Sequence, residues 1–371
     1  MSLWLAQEGP ARPRLAGDGV ADVAVVGAGI AGLSTAYALA REGARVIVLE
    51  GRRVASAASG RNAGFVLAGV AENFVAACRR YGGERASRVW RFTTTSRVLL
   101  GAVVRREGIA CDLAWDGSLQ VAGDDEEWAE IVESARQLGA HGVRVALDEP
   151  GRAARYEDDG ELHPVRFVRG LADACERLGV AIHETTPVRA VRADAVVTAS
   201  GTVRAGAVVV CANAYTEHLL PGSRIRPVRG QMLATAPVVT RHFARPTYAH
   251  RGYRYWRQTA EGRVLVGGWR DLAMEEETGE EERTTERIQS ALEAFLRERG
   301  IAAPIEHRWA GIMGFSHDGL PYLGRRADGI YLCGGFTGHG MGLAVAAGEL
   351  VASLVRAGRH PDADLFDPER P

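Results

Sequence analysis

Residues 21–50 limit what this chain can fold into more than any other stretch. They read Ala21-Asp-Val-Ala-Val-Val-Gly-Ala-Gly-Ile-Ala-Gly32, a run of helix formers up to Gly43, then Ala44-Arg-Val-Ile-Val-Leu-Glu50. Val23, Val25 and Val26 form an uncharged β-branched run, as a strand buried on both faces requires. Residues 30–41 predict a helix that Gly43 stops. Residues 46–49 predict a second buried strand, with Glu50 at its carboxyl end. Gly27, Gly29 and Gly32 stand in GxGxxG spacing between the first strand and the helix. Gly27 permits the tight turn, Gly29 lets backbone approach a pyrophosphate, and Gly32 lets the helix pack close to the strand. The helix N-terminus, with its unpaired N–H groups, suits a diphosphate. Glu50, roughly 20 residues further on, can accept hydrogen bonds from ribose hydroxyls. The stretch predicts a dinucleotide site, and FAD and NAD both fit it.

An apolar fraction of 46% and a net charge of −1 over 371 residues describe a soluble globular chain with room for two domains. No basic patch or aromatic-interleaved arginine run points to nucleic acid, and no apolar stretch is expected to reach membrane-spanning length. The N-terminus lacks the pattern of a signal peptide. Cys78, Cys111, Cys175, Cys211 and Cys333 are scattered, without a CxxC pair. They read as free thiols, with the cytoplasm as the expected setting and no disulfide or metal framework. All 45 basic residues are arginine. No lysine can therefore serve as a Schiff base, a general base or an ammonium beside a cofactor.

Along the chain, the residues before Asp22 predict an extended arm on the surface. The stretch from Gly51 and Arg52 to Phe65 is stripped of large side chains, which brings backbone close to something. Residues 70–110 have helical character, 115–121 are strand-like, and Asp124 caps a helix carrying Trp128, Ile131 and Leu138 on one face. His163-Pro164 opens a helix over 165–178, followed by strands at 180–183 and 187–191 and a hairpin around Ser200-Gly201. Residues 207–211 form a third buried strand. Alternating strands over 228–236, 253–258 and 263–267 predict an antiparallel sheet. The charge run from Glu275 to Glu282 reads as a solvated loop, and a helix carrying Ile288, Leu292 and Phe295 follows. Residues 330–333 form a fourth buried strand, leading into a terminal helix that runs to about Arg356.

Gly334, Gly335, Gly338, Gly340 and Gly342 open that terminal helix. A second helix N-terminus free of blocking side chains can face a redox ring and favour its reduced, anionic form. A nicotinamide has no such need, so this cluster favours FAD. Buried-strand, glycine-loop, helix signatures at both ends with antiparallel material between predict an interleaved α/β chain. Residues 1–85, 145–225 and 305–371 form a Rossmann-like dinucleotide domain, and 86–144 and 226–304 a substrate domain with an antiparallel sheet.

At these residues the chain resembles the FAD-dependent D-amino acid oxidase (DAO) family, which includes glycine oxidase, monomeric sarcosine oxidase and γ-glutamylputrescine oxidase. The resemblance rests on Val25-Val-Gly-Ala-Gly-Ile-Ala-Gly-Leu-Ser-Thr-Ala36, Ser59-Gly-Arg-Asn-Ala-Gly64, His163-Pro164, Val188, Pro227-Val-Arg-Gly-Gln231, Gly262-Arg263 with Gly267-Gly268, Asp318-Gly-Leu-Pro321 and Gly335-Phe-Thr-Gly-His-Gly340. It implies a DAO-like fold and these cofactor contacts. Gly27, Gly29, Ile30, Ala31 and Gly32 line the diphosphate, with Glu50, Gly51 and Arg52 near the adenosine ribose. Val188 bonds the adenine through its backbone, and Cys211 and Ala212 end a strand near the adenosine. Ser59, Gly60, Arg61, Asn62, Ala63, Gly64 and Phe65 run beside the diphosphate and flavin. Gly311, Met313, Gly335, Phe336, Thr337, Gly338, His339, Gly340 and Met341 surround the ring. Two departures stand out. Sarcosine oxidases attach flavin through a cysteine near the segment matching 311–314, where this chain has none, so its FAD is expected to be non-covalent. Those enzymes also place a lysine over the flavin in the strand matching 263–267, where this chain is apolar after Arg263.

The resemblance implies an enzyme that oxidises the C–N bond of an amine or amino acid by hydride transfer to flavin N5, the imine then hydrolysing. O2 or another acceptor takes the electrons. Tyr253, Tyr255, Trp256 and Trp269 are candidates for an apolar wall that keeps the amine neutral. A substrate carboxylate needs an arginine fork. Arg257 is the first candidate, followed by Arg229 and Arg254. His339 is placed to hydrogen-bond flavin or substrate, or to cap the helix. Two rivals stand beside this: a dehydrogenase of the same fold serving a quinone or partner protein, and a non-catalytic flavin-holding subunit.

Overall fold

Two eight-stranded sheets organise the chain, and the computed structural model describes residues 1–370 of it. In the first sheet the order is Tyr322–Arg325, Tyr331–Gly334, Thr202–Val210, Gly19–Val26, Val46–Leu49, Ala181–His183. Gly19–Val26 lies between two parallel neighbours, with Val25 opposite both Val48 and Val209. Val23, Val25 and Val26 are buried because helices cover the sheet, which is why the strand carries no charge from Val23 onward. The helices Ile30–Arg41 and Gly340–Ala357 pack against each other beside it. They follow the carboxyl ends of Gly19–Val26 and Tyr331–Gly334, parallel strands separated by Thr202–Val210, so their N-termini lie at the same edge of the sheet. Ala195–Thr198 and Thr202–Val210 pair antiparallel around Ser200 and Gly201, as the hairpin reading expects.

The second sheet is mostly antiparallel. Its order is Ile305–Phe315, Arg226–Pro237, Arg263–Gly268, Arg254–Gln258, Thr247–Ala249, Ser118–Val121, Ala153–Tyr156, Val145–Asp148. The helix Glu286–Glu298 covers one face with Ile288, Leu292 and Phe295. Two segments depart from the expected domain boundaries. Residues 145–156 and 305–315 belong to this sheet, not to the dinucleotide half. Two short strands and one long edge strand carry no sequence mark of which sheet they join.

Several local expectations are corrected. Residues 70–110 form two helices, Phe74–Tyr81 and Gly83–Glu107, because Gly82 at φ 82° breaks the run. The strand expected over 115–121 is only Ser118–Val121. The N-terminal arm runs over the surface as expected for most of its length, but its start is inserted. Trp4 is 4% exposed and its indole N–H donates to Asn62 O at 2.7 Å. The acidic run is solvated only in part: Glu275, Glu276 and Glu281 are exposed, but Glu277 is 1% exposed and paired with Arg229. The terminal helix Gly340–Ala357 is, by length and composition, apolar enough to cross a membrane, although no such stretch was expected. Its apolar side chains are buried in the core against the first helix.

Candidate active site

A cavity of about 440 Å³ runs between the two sheets, from Glu50 and Val188 at one end to Tyr248 and Tyr253 at the other. Its first wall is the glycine turn. Gly27 has φ 105°, and a Cβ there would meet Cys211 O at 2.8 Å, so neither the conformation nor the space admits a side chain. A Cβ at Gly29 would meet Ser59 Oγ at 2.9 Å. Ser59 Oγ instead accepts from Ile30 N at 3.0 Å, and Gly29 offers no side-chain cap to the helix. Glu50 clips the turn in place: Oε2 accepts from Ala28 N at 2.7 Å and Oε1 from Arg52 N at 2.8 Å. Burial raises its carboxyl pKa, and these two N–H groups oppose the shift.

The loop beyond Gly51 is ordered by its own side chains. Asn62 Oδ1 accepts from Gly64 N at 2.7 Å, while its Nδ2 donates to Ala58 O and Ser59 O. Arg61 donates to Ser56 O at 2.9 Å and to Ala310 O at 3.0 Å, tying the loop to the second sheet. Arg52, Ala63, Phe65, Val188, Cys211 and Ala212 face the cavity. Gly311, Met313, Phe336, Thr337, Gly338, His339, Gly340 and Met341 line it opposite the glycine turn. Gly32, Gly60, Gly64 and Gly335 do not line it. A Cβ would meet backbone oxygen at 1.9 Å from Gly32 and at 2.2 Å from Gly60 and from Gly64, so close packing behind the wall sets these residues. Gly335 sits at φ 78° against Tyr322.

Aromatic rings close the far end. Phe65 stands edge-on to Tyr248 at 5.4 Å and to Tyr255 at 6.3 Å, and Tyr248 stacks on the His339 ring at 5.9 Å. Burial pushes the Tyr248 phenol up to about 12 and Tyr255 up as well, so both remain O–H donors at neutral pH. His339 Nδ1 lies 3.2 Å from Thr337 O, which fixes the ring proton there and leaves Nε2 as the acceptor. Burial lowers its pKa from the ordinary 6.5, and the imidazole is neutral.

Most of the expected carboxylate forks are spent elsewhere. Arg257 is 4% exposed and lies outside the cavity. Its Nη1 donates to Ala63 O at 3.0 Å and Leu162 O at 2.9 Å, and its Nε is 3.0 Å from Glu161 Oε2. It holds the loop rather than a ligand. Arg229, likewise absent from the lining, grips Glu277 at 2.8 Å. Arg254 sits over the Trp269 ring, 5.2 Å to its centroid, away from the cavity. Trp256 and Trp269 pack on Phe295 at 4.6 and 5.5 Å, on the other face of the sheet from Tyr255. Strand alternation puts neighbours on opposite faces, so Tyr253 and Tyr255 reach the cavity while Trp256 cannot.

Sequence reasoning missed Tyr248 and Arg270, both on the lining. Arg270 sits between two rings, 4.5 Å from the Tyr253 centroid and 4.9 Å from that of Phe315. The other arginines of the lining, Arg52, Arg61 and Arg251, all pair with carboxylates of the chain. Among the described residues no carboxylate lies within ion-pair distance of Arg270. The available signal was its place in the loop straight after Gly267-Gly268-Trp269, at the end of a sheet strand.

The family model described as FAD dependent oxidoreductase (DAO) matches residues 22–354. The chain belongs to this family. It is 30% identical to gamma-glutamylputrescine oxidoreductase of Escherichia coli (strain K12), over 93% of this chain and 85% of that one. It is 26% identical to glycine oxidase of Bacillus licheniformis, over 90% of this chain and 92% of that one. Glycine oxidase from Geobacillus kaustophilus superposes with a TM-score of 0.82 at 22% identity, covering 95% of this chain and 99% of that one, a likeness of fold. The chain is an FAD-dependent oxidoreductase, and its residues fit that cofactor. A DAO-family dinucleotide needs a side-chain-free turn, a carboxylate at the second strand and a helix N-terminus. Gly27 and Gly29 leave the first, Glu50 supplies the second, and the start of Ile30–Arg41, where Gly29 carries no capping side chain, the third.

Proposed function

We propose that this enzyme oxidises the C–N bond of an amine or amino acid carrying an anionic group, within the aromatic end of the cavity. The observation that carries the reading is Arg270, the lining arginine left without a carboxylate, in the same cavity as the glycine cradle and the Tyr248–His339 stack. FAD, when bound, supplies the acceptor for a hydride equivalent. Gly27 to Ala31 and Glu50 would hold its adenosine diphosphate, and Gly311, Met313 and the start of the terminal helix its ring. No covalent link is expected, because Cys211, the cysteine of the lining, abuts the glycine turn and not the aromatic end.

The chain's own groups prepare the substrate. Arg270 binds the anion, its guanidinium held between two rings that limit its rotamers. The walls of Phe65, Tyr248 and Tyr255 exclude water and disfavour an ammonium. The ammonium sheds its proton to water at the mouth, and the neutral amine then holds the lone pair that hydride loss requires, with His339 Nε2 as an acceptor for its N–H. Imine hydrolysis needs only water at the mouth.

A second reading concerns the acceptor. Dehydrogenase activity is favoured because the chain has no lysine and His339 is held neutral, so neither supplies a cation for O2. Five unpaired thiols support the cytoplasmic setting. The test is anaerobic titration of the holoprotein with amines and amino acids, reading flavin absorbance and the carbonyl product. Bleaching with stoichiometric carbonyl supports the reading. Failure of every amine to bleach would leave a non-catalytic flavin carrier.

A further inference from the structure

The stretch Glu275-Glu-Glu-Thr-Gly-Glu-Glu-Glu282 holds six carboxylates in eight residues, yet it is fastened at both ends. Its first half is bound to the strand Arg226–Pro237. Arg229 N donates to Glu277 O at 2.7 Å, Gly279 N to Pro227 O at 3.0 Å, and Gln231 Nε2 to Glu277 Oε1 at 2.8 Å. With the Arg229–Glu277 pair buried, this end is a fixed anchor. The second half crosses to the other sheet. Glu282 accepts from Arg52 Nη1 at 2.5 Å and from the Tyr215 hydroxyl at 3.1 Å, and lies 3.0 Å from Arg61 Nη2. Glu280 Oε2 lies 2.8 Å from His218 Nε2. Arg52, Arg61, Tyr215 and His218 all line the cavity, whereas Glu280 and Glu282 stand behind them.

We propose that Glu282 is the latch of a strap that retains the dinucleotide: it positions Arg52, Arg61 and Tyr215 over the cavity and releases them before the cofactor leaves. One carboxylate between two guanidiniums holds both in place, and the wall can open only by breaking those contacts. The side chains of Arg52 and Glu282 are 49% and 22% exposed, so the latch is reachable by solvent and sensitive to salt, unlike the buried anchor. Glu282 is a positioning residue that acts through the cavity wall. The inference rests on the dinucleotide lying along the glycine turn. Its test reads cofactor release, so it fails separately from the amine reading.

Holoprotein is diluted into FAD-free buffer and release is followed by the rise in free-flavin fluorescence. Glu282→Gln keeps the shape and removes the charge. Release is expected to quicken about tenfold, the scale of one charge-assisted hydrogen bond. Salt is expected to speed release from the wild type and to have a much smaller effect on Glu282→Gln. Glu281→Gln is the control: its carboxylate pairs with Arg283 on an exposed face, and release at the wild-type rate is expected. Wild-type release from Glu282→Gln, or equal acceleration in Glu281→Gln, overturns the latch. If Glu282→Gln does not fold, wild-type release that ignores salt overturns it instead.

Discussion

The Arg270 guanidinium sits over the ring of Tyr253, 4.5 Å to its centroid, on the wall of the cavity. In the proposed function this pair is where the substrate anion binds. Arg270→Gln is expected to raise KM for a carboxylate-bearing amine by about 10- to 100-fold, the cost of a lost charge-assisted contact, with kcat changed little. Steady-state kinetics with one artificial acceptor checks this. An unchanged KM removes Arg270 from the site.

Arg257 should behave in the opposite way. It lies behind the loop and its partner Glu161 is mostly buried. Arg257→Met leaves that carboxylate uncompensated, and the expected loss of stability is about 3–5 kcal/mol, measured by chemical unfolding. A variant as stable as wild type but with a large rise in KM would return Arg257 to the substrate.

This contrast shows what the sequence could and could not disclose. The glycine turn, its flanking strands and Glu50 were legible because each is fixed by local backbone needs at short spacing. The resemblance supplied the loop at Ser59 and the ring-facing segment after Gly335. Which arginine faces the cavity was not legible. Arg257 and Arg270 differ in what pairs with them, and Glu161 lies almost a hundred residues from Arg257. Likewise the charge run at Glu275 looks solvated until Arg229, Arg52 and Arg61 are brought to it by the fold. Gly60 and Gly64 read as cofactor glycines, but their need for bareness comes from Ala55 and Leu162 packing behind them.

His163 gives a pH prediction. Its Nδ1 accepts from Arg166 N at 3.2 Å and caps the helix Pro164–Arg177, so the cap needs the neutral ring. Burial pushes its pKa from 6.5 down to about 4. The unfolded chain therefore takes up this proton first. Stability is complete above 6.5 and is lost as pH falls towards 4. Unfolding free energies across that window should decline in the wild type and decline less in His163→Asn, which keeps an acceptor without the titration. Equal slopes would remove His163 from the acid response.

Reoxidation supplies a further prediction. A fixed cation near flavin stabilises the charge that develops on O2. The chain has no lysine, His339 is neutral, and Arg270 is diffuse and neutralised when an anion is bound. Substrate-reduced enzyme is expected to reoxidise slowly in air and faster with a quinone. Stopped-flow mixing with each acceptor decides it, and faster reaction with O2 than with the quinone would contradict the dehydrogenase reading.

The most direct test is anaerobic. Oxidised holoprotein is mixed with amino acids and, separately, with the amines that remain when each loses its carboxylate. The account predicts that flavin absorbance bleaches with at least one carboxylate-bearing amine, yielding its carbonyl product, and far more slowly with the decarboxylated partner. Bleaching that is equal for both members of every pair, or absent for all, would contradict it.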